Sequence, residues 1–197
     1  QTKSVTFTAI ASDNVLIDSI TIPDASLDST DGSTYVFTKS YSYNDFSFGN
    51  TTETVTLTVT DSTGNTNTDT VNVVIQKLDD QDPAISNFSN DTTANAIELK
   101  TSAQSKTITF TAIVSDNRAV TSVLLPTTTQ TSSNNGTFTF TKDYDFNDYN
   151  YGSNTDTLTL SVGDAAGNIS TQSVTINIIK RDDSLPTITS LNANNTT

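Results

Sequence analysis

The chain has 197 residues, 22 acidic against 9 basic side chains, a formal net charge of -13, and no Cys, His, Met or Trp. Without cysteine there is no disulfide framework and no thiolate metal site, and without histidine the commonest general base and zinc ligand is missing. The acid excess repels nucleic acid and anionic membrane surfaces and favours a cation that prefers oxygen ligands.

Hydrophobic residues make up 33% of the chain and charged residues 16%. The apolar residues come as short alternating runs set among Thr, Ser and Asn, which suits thin sandwich cores rather than disorder. No apolar run approaches the roughly 20 residues needed to span a bilayer, so no membrane insertion is expected in this segment. The absence of a charged-then-apolar leader and of an initiator Met leads us to expect that Gln1 lies inside a longer polypeptide.

In chain order, Val5, Phe7 and Ala9 form the first inward row, with Thr6 and Thr8 facing outward. A strand is expected over residues 15–22 and another over 35–43, with weaker pairing between them. Val55, Leu57 and Val59, then Val71, Val73 and Ile75, form two more inward rows, and a leading strand follows over residues 84–88. No helix is expected.

The pattern then starts again. Residues 1–94 lie on residues 104–197 without a gap, a period of 103 residues with about two-fifths of the pairs identical. VTFTAIASDN from Val5 matches ITFTAIVSDN from Ile108, and VTLTVTDSTGN from Val55 matches LTLSVGDAAGN from Leu158. Solenoid repeats are usually about 20 to 50 residues, so this period reads as duplication of a whole domain. About seven strands per unit is the count of an immunoglobulin-like sandwich, and the expected fold class is all-β, in tandem sandwiches.

The expected organisation is residues 1–78 as a domain lacking its first strand, 83–181 as a complete domain, and 182–197 as the linker and first strand of a further copy. Two arrangements fit such ends: a fragment of a longer array, or a pilus-type subunit that lends its terminal strand to the next.

In this topology the loop between the second and third strands, the loop between the sixth and seventh, and the start of the first strand share one end. For the complete domain that end gathers Asp116 and Asn117, Asp164 and Asn168, and the linker residues Asp79, Asp80 and Asp82. Asn44 and Asp45 come from the opposite end of the preceding domain. The equivalent positions in the first domain are Asp13, Asn14, Asp61 and Asn65, and the linker pair recurs as Asp182 and Asp183. Neighbouring carboxylates repel by about 1 kcal/mol per pair in water and up to about 4 near a protein surface. Ca2+, with six to eight oxygen ligands at about 2.3 to 2.6 Å, relieves that repulsion; Mg2+ demands stricter geometry. The competing reading is that Asp-Asn and Asp-x-x-Gly-Asn are ordinary turn sequences. Against it stands the double-acidic linker pair, for which the sequence alone offers no turn or packing reason.

Over essentially its whole length the chain resembles the bacterial immunoglobulin-like and cadherin-like repeats of large calcium-dependent surface adhesins, through its T-A-I-x-S-D-N, V-x-D-x-x-G-N and Asp-Asp-x-x-Pro runs. The resemblance implies seven-stranded sandwiches strung into extracellular fibres, with calcium at the joints. It also implies neighbouring identical modules as end-to-end partners, with lateral copies of the fibre as a second possibility. Carried over by position, the ligands are Asp13, Asn14, Asp61, Asn65, Asp79, Asp80, Asp116, Asn117, Asp164 and Asn168.

An enzyme is not expected, since the paired carboxylates sit in loops repeated in each module. The Thr-x-Thr runs open a carbohydrate- or ice-binding reading, against which stands the ordinary preference of Thr for outward strand positions. The aromatic loop Tyr41, Tyr43, Phe46, Phe48, mirrored by Tyr144, Phe146, Tyr149, Tyr151, reads either as a sugar platform or as packing that plugs the sandwich. Recurring Lys39/Lys142 and Lys77/Lys180 raise Lys-Asn isopeptide cross-links, without a recognisable motif for them.

Overall fold

A computed structural model describes residues 1–193. Its described residues form fourteen strands, three short 3-10 turns and no α-helix. Strands β1 (Thr2–Ile10), β2 (Ile17–Thr21), β3 (Ala25–Asp31), β4 (Thr34–Ser42), β5 (Gly49–Asp61) and β6 (Thr66–Lys77) make one compact unit. A second unit holds β7 (Ala84–Asn90), β8 (Ala96–Lys100), β9 (Ser105–Ser115), β10 (Val120–Leu124), β11 (Thr129–Asn134), β12 (Thr137–Asp145), β13 (Gly152–Asp164) and β14 (Ile169–Arg181).

In the second unit one sheet has the order β11-β12-β9-β7 and the other β10-β13-β14-β8. This is the strand order of an immunoglobulin-like sandwich whose first strand is split in two, one part on each sheet. All pairings are antiparallel except β8 on β14, which runs parallel from Asn177 opposite Ala96 to Arg181 opposite Lys100. That pairing had no signature in the repeat comparison, because residues 95–103 fall between the two aligned segments.

The period-two rows become the core. Ile108, Phe110 and Ala112 of β9, Leu158, Leu160 and Val162 of β13, and Ile176 and Ile178 of β14 are all buried, in one cluster with Ile97 and Leu99 of β8. Thr159 and Thr157 between them point outward and pair hydroxyl to hydroxyl with Ser173 and Thr175 at 2.8 Å. Alternation along a pleated strand is the whole cause of this division.

The first unit repeats the same order without a counterpart of β7 or β8 among the described residues: β1-β4-β3 and β2-β5-β6. Its core is correspondingly shallow, with Ile20, Ile22, Phe37 and Val55 buried and Phe7, Ala9, Leu57 and Val59 only half-buried. Residues 182–193, where the opening strand of a further copy is expected, carry no strand, and residues 194–197 lie outside the described ones.

Each unit holds one half-buried ion pair at its base. Lys142 Nζ lies 2.8 Å from Asp156 Oδ2, which also accepts from the Tyr144 hydroxyl at 2.9 Å. In the first unit Lys39 Nζ lies 2.7 Å from Glu53 Oε1. Burial, reinforced by Glu53, pushes the Tyr41 hydroxyl up to about 12. Lys39 and Lys142 thus recur because each neutralises an acid on the facing sheet. Replacing Lys142 by Met leaves Asp156 uncompensated and is expected to cost about 3 kcal/mol in urea unfolding. The triple variant Lys142→Met, Asp156→Leu, Tyr144→Phe is expected to recover most of that loss, because no polar group is then left unpaired.

Candidate metal centre

The two sheets of the second unit bring the β9–β10 loop and the β13–β14 loop to one end, and the linker that precedes β7 arrives at the same end. The linker residue Asp79 and the loop residues Asp116 and Asp164 each offer one carboxylate oxygen there, all within 4.8 Å of one another. Among the described residues these are the acidic side chains gathered closely enough to share a cation.

Each loop acid has a local hydrogen-bonding role as well. Asp116 Oδ2 accepts from the backbone N–H of Arg118 (2.7 Å) and of Ala119 (3.1 Å), closing the loop into β10. Its other oxygen, Oδ1, is buried with no hydrogen-bond partner among the described residues. Asp164 is 5% exposed, and its Oδ1 accepts from the backbone N–H of Ala166, Gly167 and Asn168 at 2.7 to 2.8 Å. Its Oδ2 accepts from Asn168 Nδ2 at 2.7 Å, and the same amide donates to the Gln81 carbonyl at 3.0 Å, tying the linker to the loop. Gly167 adopts φ +96°, which a residue with a side chain rarely does, so the Asp-x-x-Gly-Asn spacing is what lets the loop wrap one carboxylate. Burial works to raise the Asp164 carboxyl, and the Asn168 amide together with the three backbone N–H groups outweighs it and holds the group below the ordinary range.

The first unit has the same loop without the gathering. Asp61 accepts from Thr63 and Asn65, with the Asn65 amide 2.8 Å from Oδ2, and Asp13 Oδ2 accepts from Val15 N–H at 2.8 Å. Asn14 is exposed, as are Asn117, Asp80 and Asp82 at and near the gathered end of the second unit. Asn44 and Asp45 occupy an exposed 3-10 turn, Tyr43–Asp45, at the end of β5 opposite Asp61. Asn65 and Asn168 turn their amide N–H groups toward the neighbouring aspartate, so in this arrangement they serve the loop.

Asp182 and Asp183 have a packing role that the sequence did not disclose. Asp182 Oδ1 accepts from the Thr101 hydroxyl (2.9 Å) and from Ser184, while Asp183 accepts from the backbone and hydroxyl of Ser102. The pair pins the outgoing chain to the turn between β8 and β9, at the far end from Asp164. A doubly acidic linker therefore does have a local reason at this position, which corrects the sequence-based argument.

The aromatic loops are absorbed in a similar way. Lys180 Nζ sits 4.0 Å from the Phe146 ring centroid and 4.9 Å from that of Tyr151, and donates to the Tyr149 carbonyl at 2.7 Å. Lys77 repeats this with Tyr43, Phe48 and the Phe46 carbonyl. The rings clasp a lysine at the base of each sandwich, a cation–π contact that accounts for Lys77 and Lys180 recurring.

No protein-family model matches the chain, and no curated protein matches it. Among solved structures, a protocadherin gammaB7 EC3-6 cis-dimer is 15% identical over 91% of this chain and 41% of its own, with a TM-score of 0.36. The sialic acid binding region of a Streptococcus sanguinis SK1 adhesin, bound to 3'sLn, is 8% identical over 91% of this chain and 74% of its own, with a TM-score of 0.34. The human desmocollin-1 ectodomain is 11% identical over 95% of this chain and 31% of its own, with a TM-score of 0.28. The chain thus spans less than half the length of the protocadherin and desmocollin chains. At such scores the immunoglobulin-like assignment rests on the strand order and pairing of the second unit itself. No helix among the described residues is long and apolar enough to cross a membrane.

The hydrogen bonds around Asp61, led by the Asn65 amide, lower its carboxyl from 3.8 to about 2. A carboxyl depressed in the folded state stabilises it above the unfolded pKa and loses that contribution as the pH falls through the folded one. The melting temperature is therefore expected to be flat from about pH 7 to 5 and to fall between about pH 4 and 2. Asp61→Asn is expected to make that fall shallower in a pH series of thermal melts.

Proposed function

We propose that the chain is a non-catalytic extender of a cell-surface adhesin or extracellular fibre, with identical modules joined end to end and calcium bound where the linker enters each complete module. The observation that carries this reading is the convergence of Asp79, Asp116 and Asp164 within 4.8 Å, with a buried oxygen of Asp116 that no hydrogen bond satisfies. Three close carboxylates repel one another unless a cation or protons intervene.

The donor chemistry fits a hard cation. Every side-chain donor at this end is an oxygen or an amide, and the chain has no His or Cys to select a transition metal. Ca2+ accepts an irregular oxygen set completed by water, which suits three carboxylates arriving from a linker and two loops. Asp79, Asp116 and Asp164 would hold the ion, and the ion supplies charge neutralisation that fixes the linker against the loops. Asn168, through the Gln81 carbonyl, positions the linker whether or not the ion is bound. In this reading the partners are neighbouring modules in line, with lateral association of fibres secondary and with no role for nucleic acid or membrane insertion. The lysine clasps draw the aromatic loops into packing, which disfavours a sugar platform.

Sites in extracellular modules bind at about 10⁻⁴ to 10⁻³ M. A tenfold excess of calcium over that constant is worth about 1.4 kcal/mol, or several degrees in the melting temperature of a unit this size. Millimolar calcium is expected to raise the melting temperature by that amount, chelator to reverse it, and Asp79→Asn with Asp116→Asn to abolish it. Isothermal titration with Mg2+ is expected to show weaker binding. A melting temperature indifferent to calcium and chelator alike would overturn the reading.

A further inference from the structure

The second unit carries the chain from one end of its sandwich to the other. β7 starts beside the Asp116 loop, with Ala84 opposite Ser115, and β14 leaves the Asp164 loop and ends on Arg181 at the far end. Tension between residues 82 and 185 therefore runs along the strands. On the outgoing side β14 is held against β13 by twelve register pairs, so the incoming strands β7 and β8 are the ones such tension removes first.

Those two strands are fastened unequally. β7 carries a bulge between Ile85 and Asn87, and its inward side chains Ile85 and Phe88 are only half-buried. β8 inserts Ile97 and Leu99, 3% and 0% exposed, and lies parallel to β14 from Ala96 opposite Asn177 to Lys100 opposite Arg181. Bonds between parallel strands cross the strand direction at even spacing, so sliding β8 past β14 stretches all of them together, whereas prising the pair open from one end breaks them in turn. Side chains add to the lower end of the same pair. Arg181 Nε lies 2.7 Å from Glu98 Oε1, the Thr101 hydroxyl donates to Asp182 Oδ1 at 2.9 Å, and Ser102 donates to Asp183 through its backbone N–H and its hydroxyl.

We propose that β8 on β14 is a mechanical clamp that sets how fast the second unit unfolds under end-to-end tension, with Glu98, Thr101 and Ser102 fastening the outgoing chain to it. The proposal rests on the extender reading for the tension the module meets; the resistance belongs to the fold. None of the clamp residues is a proposed calcium ligand, so the clamp acts with or without the ion. Forced unfolding is governed by the unfolding rate and not by equilibrium stability, which makes the element that yields first the decisive one.

Single-molecule pulling on the 197-residue chain tests this. The chain has no cysteine, so paired cysteines at exposed positions attach the handles unambiguously. Asp82→Cys with Leu185→Cys loads the clamp along the strands, and Ala103→Cys with Leu185→Cys prises β8 from β14 at one end. At equal pulling speed the first pair is expected to require the higher force, in calcium and in chelator alike. Equal forces, or a higher force for the second pair, would overturn the proposal. Leu99→Ala in β8 and Leu160→Ala in β13 remove the same side chain at sites that are both 0% exposed. Both are expected to lower stability in urea, but at fixed force along the strands only Leu99→Ala is expected to unfold faster, by about tenfold, because the contacts of Leu160 are still intact when β8 slips. Equal acceleration by the two variants would also count against the clamp. Calcium-dependent melting without the directional difference in force would sink the clamp and leave the extender reading standing; the directional difference without calcium-dependent melting would support the clamp alone.

Discussion

A sandwich of two small sheets keeps water from its core only when the gap between the sheets is closed along both sides, and in this protein the opening strand does the closing. The second unit makes the point through its two short segments, β7 on one sheet and β8 on the other. With them in place, Phe110, Leu160, Val162, Ile176 and Ile178 have no exposed surface. In the first unit, which has no counterpart of either among the described residues, the identical Phe7, Leu57 and Val59 are only half-buried. With only 33% hydrophobic residues in the chain, each row of apolar side chains must be covered on both faces to contribute its full burial energy.

The same closure organises the acidic end. β7 begins directly after the linker, at the end of the second unit where the loops carrying Asp116 and Asp164 lie. Within each Asp-x-x-Gly-Asn loop the aspartate is first a turn residue, wrapped by backbone N–H groups and by the asparagine amide. Turn role and ligand role are compatible, because the loop occupies some lone pairs of a carboxylate and orients the rest. The turn reading gives Asp61 and Asn65 a local role in their loop. At Asp164 it leaves open why two further acids crowd the same corner.

Charge is managed differently at the base of each sandwich. There the acids are paired, Asp156 with Lys142 and Tyr144, and Glu53 with Lys39, while Lys77 and Lys180 are held over aromatic rings. With 22 acids against 9 bases, the basic residues are scarce, and several are committed to these internal contacts. The acids at the other end must then be solvated, hydrogen-bonded or bound to a cation.

Local chemistry made the strands legible: alternation of period two in runs such as residues 5–9 and 55–59 depends only on neighbouring residues, and the 103-residue repeat is a property of the string itself. The turns were readable for the same reason, since Asp-x-x-Gly-Asn encodes its own hydrogen bonds. What the sequence did not carry was everything set by distant partners. The parallel pairing of β8 with β14 joins residues about 80 apart, beyond any periodic signal. The docking of Asp182 and Asp183 on Thr101 and Ser102 spans a similar separation. Fifteen acidic or amide residues looked alike as candidate ligands, and only the closing of the sheets decided that Asp79, Asp116 and Asp164 meet while Asp13, Asp45, Asp80 and Asp82 do not. Side-chain type is local information, but convergence is a property of three chain segments at once, and that is settled only by tertiary packing.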